Sequence, residues 1–499
     1  MSAEVVLRRG HEDMVKALKA WTIVLLLVGG SSYAQTIRLD STNPHYFFFK
    51  GKPTLLITSA EHYGAVVNKD FDYVQYLDAL KTYGLNYTRI YPGVLFEPVG
   101  KFMPGNTLGP RPRSLILPWA RSGEPGYMLG GNKFDLDKWD PEYFERLRDF
   151  LAKAAERDIV VEICLFNSQY SDTWPLSALN SENNIQGVGQ CEFRDAQTMR
   201  HPDLVARQDD YVQKMVQEAN NFDNVILEIC DEPSLFTPIA EAAPWVVHFV
   251  DVIKGAEKAL AKQHLIGQEV QGPAGGPIDL AGNPGISAVI TQYLYYSGDQ
   301  EMGGLKGLDY EYYHNKPIEE NETDYYPLSY KGDKIADSRV EAWEFMVGGG
   351  AGFNQLNGLF TPANPAGKTP DNAQLLGALQ RLKGFLYSFD FIKMRQDKQL
   401  VRSEVPAGAH WRAISEPGRQ YALYLHHSEG GSGGSYVATP GSYSENLVLD
   451  LPAGTYKVDW VDPATGSLIH SENVTHPGGD RTIATPTYTL DIALRIKRT

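Results

Sequence analysis

Two hydrophobic rhythms alternate along this chain from residue 54 to residue 390. Short, nearly continuous apolar runs read as buried strands, and between them apolar residues fall at helical spacing. The strand runs are Thr54–Thr58, Leu85–Tyr91, Ile159–Phe166, Val225–Cys230, His264–Val270, Ala288–Tyr295, Lys316–Glu322 and Gly352–Leu356. Helices are expected near Phe71–Tyr83, Glu142–Arg157, Leu204–Asn220, Trp245–Lys262, Ser338–Val347 and Asn372–Ser388. Eight short strands alternating with helices fit an α/β fold, a (β/α)8 TIM barrel. No Gly-rich phosphate turn follows the first strand, which disfavours an open doubly wound sheet.

Beyond residue 390 the rhythm changes. Tyr421–Leu425, Leu447–Leu451, Tyr456–Val461 and Thr489–Ile496 are strand-like and separated by turn signals such as Asp462-Pro463-Ala464-Thr465-Gly466. Residues 391–499 are expected to form a small all-β sandwich. At the other end, Lys16 and Lys19 precede the apolar run Ala20–Val28, and small residues lead to Ala34. That order is the pattern of a secretory signal peptide over residues 1–34. The run is short for a membrane span, and no second one follows. The mature barrel domain is then expected over 35–390, in a protein that is secreted or periplasmic.

Charge narrows the partners. The formal net charge is −15 and no long basic run is present, which argues against nucleic acid and anionic membranes. The chain has three cysteines, too few for a disulfide scaffold, although Cys164 and Cys230 fall near the ends of neighbouring strands. No Cys/His spacing suggests a metal site, and no cofactor is implied.

Two carboxylates carry the chemistry. Glu232 ends the run Asn224-Val-Ile-Leu-Glu-Ile-Cys-Asp-Glu232, and Glu322 ends Lys316-Pro-Ile-Glu-Glu-Asn-Glu322. In a parallel barrel the C-terminal strand ends meet at one mouth. Two carboxyls facing each other there are what glycosidic-bond cleavage needs, one as general acid and one as nucleophile. Strand alternation gives Glu228, Cys230 and Glu232 one parity, and Glu320 shares that of Glu322, so Glu320 is the alternative to Glu322. Asp231 is the alternative acid to Glu232. Glu61, His62 and Tyr63, after the first strand, are candidate sugar contacts, with loop packing as the other reading. Asn167 and Gln292 are candidate hydroxyl partners. Trp174, in the long third loop, is a candidate stacking platform or a loop anchor.

With these motifs the chain resembles glycoside hydrolase clan A. The clan's strand-four Asn-Glu-Pro is met by Asp231-Glu232-Pro233, and its strand-seven pattern by Lys316-Pro317-Ile318…Glu322. The resemblance implies a retaining glycosidase, with Glu232 as acid/base and Glu322 as nucleophile. It also implies that Arg89 holds the nucleophile and that Tyr293 or Tyr295 donates a hydroxyl to it. Asp231 departs from the clan's Asn and adds a charge beside the acid. Phe49-Lys50-Gly51-Lys52-Pro53 and Tyr456-Lys457-Val458-Asp459-Trp460 resemble a clan A-like family whose C-terminal β domain is named for collagen binding.

The expected function is a secreted retaining glycoside hydrolase cleaving a β-type bond in a plant or microbial poly- or oligosaccharide, acting from a chain end. The alternatives are a non-catalytic carbohydrate- or matrix-binding protein on a barrel scaffold, and a transglycosylase.

Overall fold

The fold follows from where the apolar runs are interrupted by caps and turns. The computed structural model describes residues 36–270, 279–292, 303–326, 334–430 and 436–499. The expected signal segment, Tyr293 and Tyr295 lie outside the described residues. Eight parallel strands form the central sheet: β1 Leu56–Ala60, β2 Tyr87–Ile90, β3 Val160–Asn167, β4 Val225–Asp231, β5 Leu265–Glu269, β6 Ala288–Thr291, β7 Ile318–Tyr326 and β8 Gly352–Asn357. From β2 to β8 each strand pairs with the next, and β8 pairs back onto β1, as in a TIM barrel. The β1–β2 seam has no regular ladder, and Asn86 bridges it. Its Nδ2 donates to Leu55 O at 2.9 Å, and Ile57 N donates to its Oδ1 at 3.3 Å.

Among the described residues seven α-helices lie outside the strands: α1 Tyr73–Thr82, α2 Pro141–Glu156, α3 Pro202–Ala219, α4 Ile239–Glu257, α5 Gly303–Glu311, α6 Lys334–Val347 and α7 Pro370–Leu386. Their starts are written in the sequence. Asp72 caps α1 by accepting from Val74 N and Gln75 N, and Asp140 caps α2 in the same way, with Pro141 in its first turn. Thr369 and Pro370 open α7 alike. Among the described residues no helix follows β5. A separate three-stranded sheet (Arg38–Leu39, Phe47–Phe49, Lys52–Thr54) precedes β1, so the first barrel strand begins at Leu56 rather than Thr54. The loop after β2 carries a hairpin, Trp119–Pro125 with Asn132–Trp139.

One irregularity shapes the site. In β7, Glu320 pairs with Phe353 but Thr323 pairs with Gln355, so one extra residue is inserted between them. Alternation breaks there. Asn321 and Glu322 are consecutive, yet Asn321 reaches Glu162 and Glu322 reaches Arg89. Glu320 keeps the opposite parity and is buried near Glu344 of α6. The expectation that Glu320 and Glu322 share a face is therefore corrected by the bulge.

The C-terminal strands begin at β9 Arg395–Gln396 and continue with β10 Ala409–Glu416, β11 Gln420–Gly430, β12 Tyr436–Ala438, β13 Asn446–Leu451, β14 Gly454–Val461, β15 Leu468–His476, β16 Gly479–Ala484 and β17 Asp491–Arg498. All pair antiparallel, in a large sheet ordered β9-β10-β11-β17-β14-β15, with β12 on β11, and a small β13–β16 sheet. The period of two divides the faces of the large sheet. Leu423, Leu425, Val458, Trp460, Ile492 and Leu494 pack with Leu447, Leu449 and Ile483 of the small sheet, making a two-layer core. Ala422, Tyr424 and Ala493 belong instead to the core of the barrel. There Tyr424 packs on Trp343 of α6, and Arg339 of α6 forks onto Asp491 at 2.9 and 3.1 Å.

Candidate active site

Three strands, β3, β4 and β7, deliver carboxyl groups to the C-terminal mouth or the layer just below it, and one cation meets them. Arg89 of β2 is fully buried. Its Nε and Nη2 donate to Glu228 of β4 at 2.6 and 2.5 Å. Nη2 also donates to Asp231 at 2.8 Å, and Nη1 to Glu322 at 3.1 Å. Tyr91, two residues beyond Arg89, sets its hydroxyl 2.7 Å from Asp231 Oδ2 and 3.1 Å from Glu322 Oε2. Gln292 Nε2 donates to Asp231 Oδ1 at 2.7 Å, and Asn167 Nδ2 to Asp231 Oδ2 at 3.4 Å. Glu228 and Asp231 both reach Arg89 although they are three residues apart, so strict alternation also fails at the end of β4.

Glu232 is the first residue past β4. It has φ +50°, a conformation that costs a non-glycine residue and needs support from its surroundings. Its amide donates to the Glu269 carboxylate of β5, and its carbonyl accepts from Ser168 Oγ at 2.6 Å. These contacts hold the backbone where the side chain meets Tyr170, whose hydroxyl donates to Glu232 Oε2 at 3.2 Å.

Below this layer the barrel interior is unusually acidic. Glu162 accepts from Tyr87 and from Asn321 Nδ2, and Glu319 lies beside it with no exposed surface. A Cβ at position 352 would come within 2.7 Å of Glu319 Cγ, so Gly352 makes the room Glu319 occupies. Burial raises Glu319 far above the usual carboxylate range, and Glu162 and Glu228 push it further. Burial raises Glu228 to about 8, against the pull of Arg89 and with a push from Glu162. One guanidinium does not balance this many carboxylates in a low-dielectric interior, so the cluster holds protons at neutral pH.

The groups nearest the mouth separate. Burial opposes ionised Asp231, but Arg89 and the hydrogen bonds from Arg89, Tyr91 and Gln292 outweigh it and hold Asp231 below its ordinary value. Glu232 is pushed well up by burial, then by Asp231 and Glu269. Burial and Asp231 also raise Glu322, while Arg89 and Tyr91 oppose the rise. Glu322 touches the cation and Glu232 does not, so the guanidinium favours the ionised form at Glu322.

The remaining candidates divide. Glu61 has no exposed surface. It accepts from Gly64 N and Ala65 N at 3.0 Å and from Thr107, and burial raises it to about 8. Its carboxyl shapes the turn after β1 instead of lining a sugar site. His62 Nε2 lies 3.2 Å from Glu97 Oε2. Trp174 is buried and its Nε1 donates to Cys191 O at 2.8 Å, which makes it a loop anchor. Glu320 is turned to the helix layer and is not brought to Arg89. Cys164, Cys191 and Cys230 are all free, and Cys164 Sγ instead lies 3.7 Å from Arg89 Nη2. Among the described residues no group of His, Cys, Asp or Glu is arranged to hold a metal ion, and no helix is long and apolar enough to cross a membrane.

Tyr91, Tyr170 and Glu228 join the site without having been singled out as its members, and Tyr63 of the Glu61-His62-Tyr63 cluster reaches it. Tyr63 also has positive φ, lies under Arg89 with its ring centre 5.0 Å from Cζ, and donates to Asn321 O at 3.0 Å. The readable signal was a charged residue inside an otherwise apolar strand, at Arg89, Glu162, Glu228 and Glu319. Such residues are buried only with partners.

Fold and site together define a parallel (β/α)8 barrel with paired carboxyls at its C-terminal mouth. No family model matches the chain, and no curated protein does. Solved structures do. A glycoside hydrolase aligns over 93% of this chain and 97% of its own, with TM-score 0.61 and 12% identity. A glycoside hydrolase family 5 protein from Bacteroides vulgatus aligns over 93% of this chain and 94% of its own, again with TM-score 0.61 and 12% identity. At that identity the likeness is one of fold, and it extends through the β domain.

Proposed function

We propose that the protein is a secreted retaining glycoside hydrolase acting on a β-linked poly- or oligosaccharide from a chain end. The observation that carries this reading is the difference in contacts at the mouth, where Arg89 and Tyr91 donate to Glu322 while Tyr170 donates to Glu232. Glu232 is buried, held up by two like charges, and touched by Tyr170; Glu322 is touched by Arg89. In the first step Glu322 Oε attacks the anomeric carbon, the bond to the leaving oxygen breaks, and Glu232 gives that oxygen its proton. In the second step Glu232 takes a proton from water, the water oxygen attacks the anomeric carbon, and Glu322 leaves as a carboxylate. Asp231, ionised and pinned by Arg89, is occupied with holding Arg89 and does not serve as acid. It also keeps Glu232 loaded, because its charge opposes a second charge beside it.

Asn167 Oδ1 and Gln292 Oε1 are buried acceptors with no partner among the described residues. Both side chains touch Asp231, so they are suited to a sugar hydroxyl on the glycone side. The glycoside hydrolase neighbours favour the same reading on grounds of fold.

Aryl β-glycoside hydrolysis tests it, run over pyranosides and furanosides with Glu232→Gln and Glu322→Gln. Glu322→Gln is expected to lose turnover with every leaving group. Glu232→Gln is expected to lose far more with a poor leaving group than with a good one, since only the poor one needs the proton. Equal turnover in wild type and both variants sinks the assignment.

A further inference from the structure

We propose that the barrel face opposite the active mouth binds a phosphate or sulfate group, free or as a sugar ester. The inference does not depend on the hydrolase reading. A cavity of about 440 Å3 opens at the N-terminal ends of β1 and β2, where Thr54, Leu85 and Asn86 form part of its wall. That volume falls in the range of small-molecule sites. Five cations line it, Lys50, Lys52, Lys81, Arg157 and Lys383, against one carboxylate, Asp158. In a chain of net charge −15 this is a local reversal of sign.

The fold accounts for three of these cations. Helices α1, α2 and α7 end beside the cavity, and the carbonyls at helix C-termini favour positive charge. Lys50 Nζ donates to Ala155 O at 3.2 Å and to Asp158 Oδ1 at 2.5 Å. Lys81 Nζ donates to the other oxygen of Asp158 at 3.1 Å. Arg157 Nε donates to Asp78 at 2.7 Å, and its Nη1 to Lys153 O at 2.9 Å. Lys52 and Lys383 differ, because among the described residues neither has a carboxylate partner. Lys52 is exposed on the strand Lys52–Thr54. Lys383 is half-buried and hydrogen-bonds to Gly84 O, at 2.6 Å. Burial, then the charges of Lys52 and Lys81, lower its ammonium to about 7, so the three crowd one another. Helix ends of this polarity repel anions, and the two unmatched ammoniums are what holds one here. A doubly charged oxyanion answers both at once. Phe49 and Tyr387 stand in the same wall, and Tyr387 is 37% exposed. An aromatic face beside the charges suits the ring of a sugar ester.

Isothermal titration calorimetry on the full chain tests the site. The probes are sodium sulfate, sodium phosphate, glucose 6-sulfate and glucose 6-phosphate, each run against sodium chloride at matched ionic strength. One saturable site is expected. Lys52→Gln and Lys383→Met are each expected to weaken it about tenfold or more, the scale of one charge-assisted hydrogen bond. Lys138→Gln, which removes an exposed lysine of the 119–139 hairpin paired to Asp135, is expected to leave it unchanged. Tighter binding of the esters than of the free ions makes a sugar ester the occupant, and esters no tighter make it a free ion; either result supports the site. No saturable binding of any of the four probes overturns it, and so does a weakening by Lys138→Gln as deep as that by the two cavity variants.

Discussion

Replacing Glu320 by Gln separates the two glutamates of β7 and tests the bulge between them. Glu320 is 1% exposed, its Oε2 has no partner, and Glu344 is the nearby like charge. Burial first, and Glu344 second, raise it from 4.5 to about 8. A carboxyl with a raised folded value binds its proton more tightly folded than unfolded. Its contribution to stability is present in full below the unfolded value and is lost as pH rises through the folded one. The window is therefore pH 4.5 to about 8. Each pH unit inside it is worth about 1.4 kcal/mol, so wild type loses on the order of 2 kcal/mol through this residue between pH 6 and pH 8. The amide has nearly the same shape and no proton to lose. Urea unfolding at several pH values, with and without Glu320→Gln, is expected to show the variant gaining on wild type by about that amount across the window. Turnover should remain near wild type, because Glu320 faces the helices. A pH-independent difference refutes the buried ionisation, and a loss of turnover as deep as that of Glu322→Gln refutes the bulge.

Other outcomes follow from the same contacts. Tyr170→Phe removes a hydrogen bond that favours ionised Glu232, so the alkaline limb of the kcat/KM–pH profile should move to higher pH; Asp231→Asn removes a like charge and should move it lower. Arg89→Met strands Glu228, Asp231 and Glu322 without their cation, and urea titration should show a loss of about 3–5 kcal/mol. Asn86→Ala opens the bridge across the β1–β2 seam, and a loss of about 1–3 kcal/mol is expected by the same assay.

The barrel was legible because its strands are long apolar runs and its helices carry their own start signals at Asp72, Asp140-Pro141 and Thr369-Pro370. Thr54 was read into the first strand because it abuts an apolar run. It pairs instead with Phe47, and a local pattern does not carry which strand lies beside it. The hairpin 119–139 was hidden by a polar, turn-rich segment. At the site, Glu232, Glu322 and Asp231 were legible from their positions at strand ends, and Arg89 from the resemblance to clan A. Glu320 and the parity of Glu228 were not, because one inserted residue in β7 and the twist at the end of β4 reset which face each side chain takes. Tyr91 was missed for a related reason: its use depends on Arg89, and an aromatic at a strand end is read as core by default. Glu61 looked like a sugar contact because its backbone commitments, to Gly64 and Ala65, appear only once the turn is formed.

The most direct test of the central claim is the site of covalent trapping. 2-Deoxy-2-fluoro-β-glycosyl fluorides of the gluco, manno, galacto and xylo series form a glycosyl ester with the nucleophile and leave it only slowly. After inactivation, proteolysis and mass spectrometry are expected to place the sugar on the peptide carrying Glu322, at Glu322 itself. A label on Glu320, Asp231 or Glu232, or steady hydrolysis of the parent sugar's fluoride with an inverted product and no labelled peptide, would contradict it.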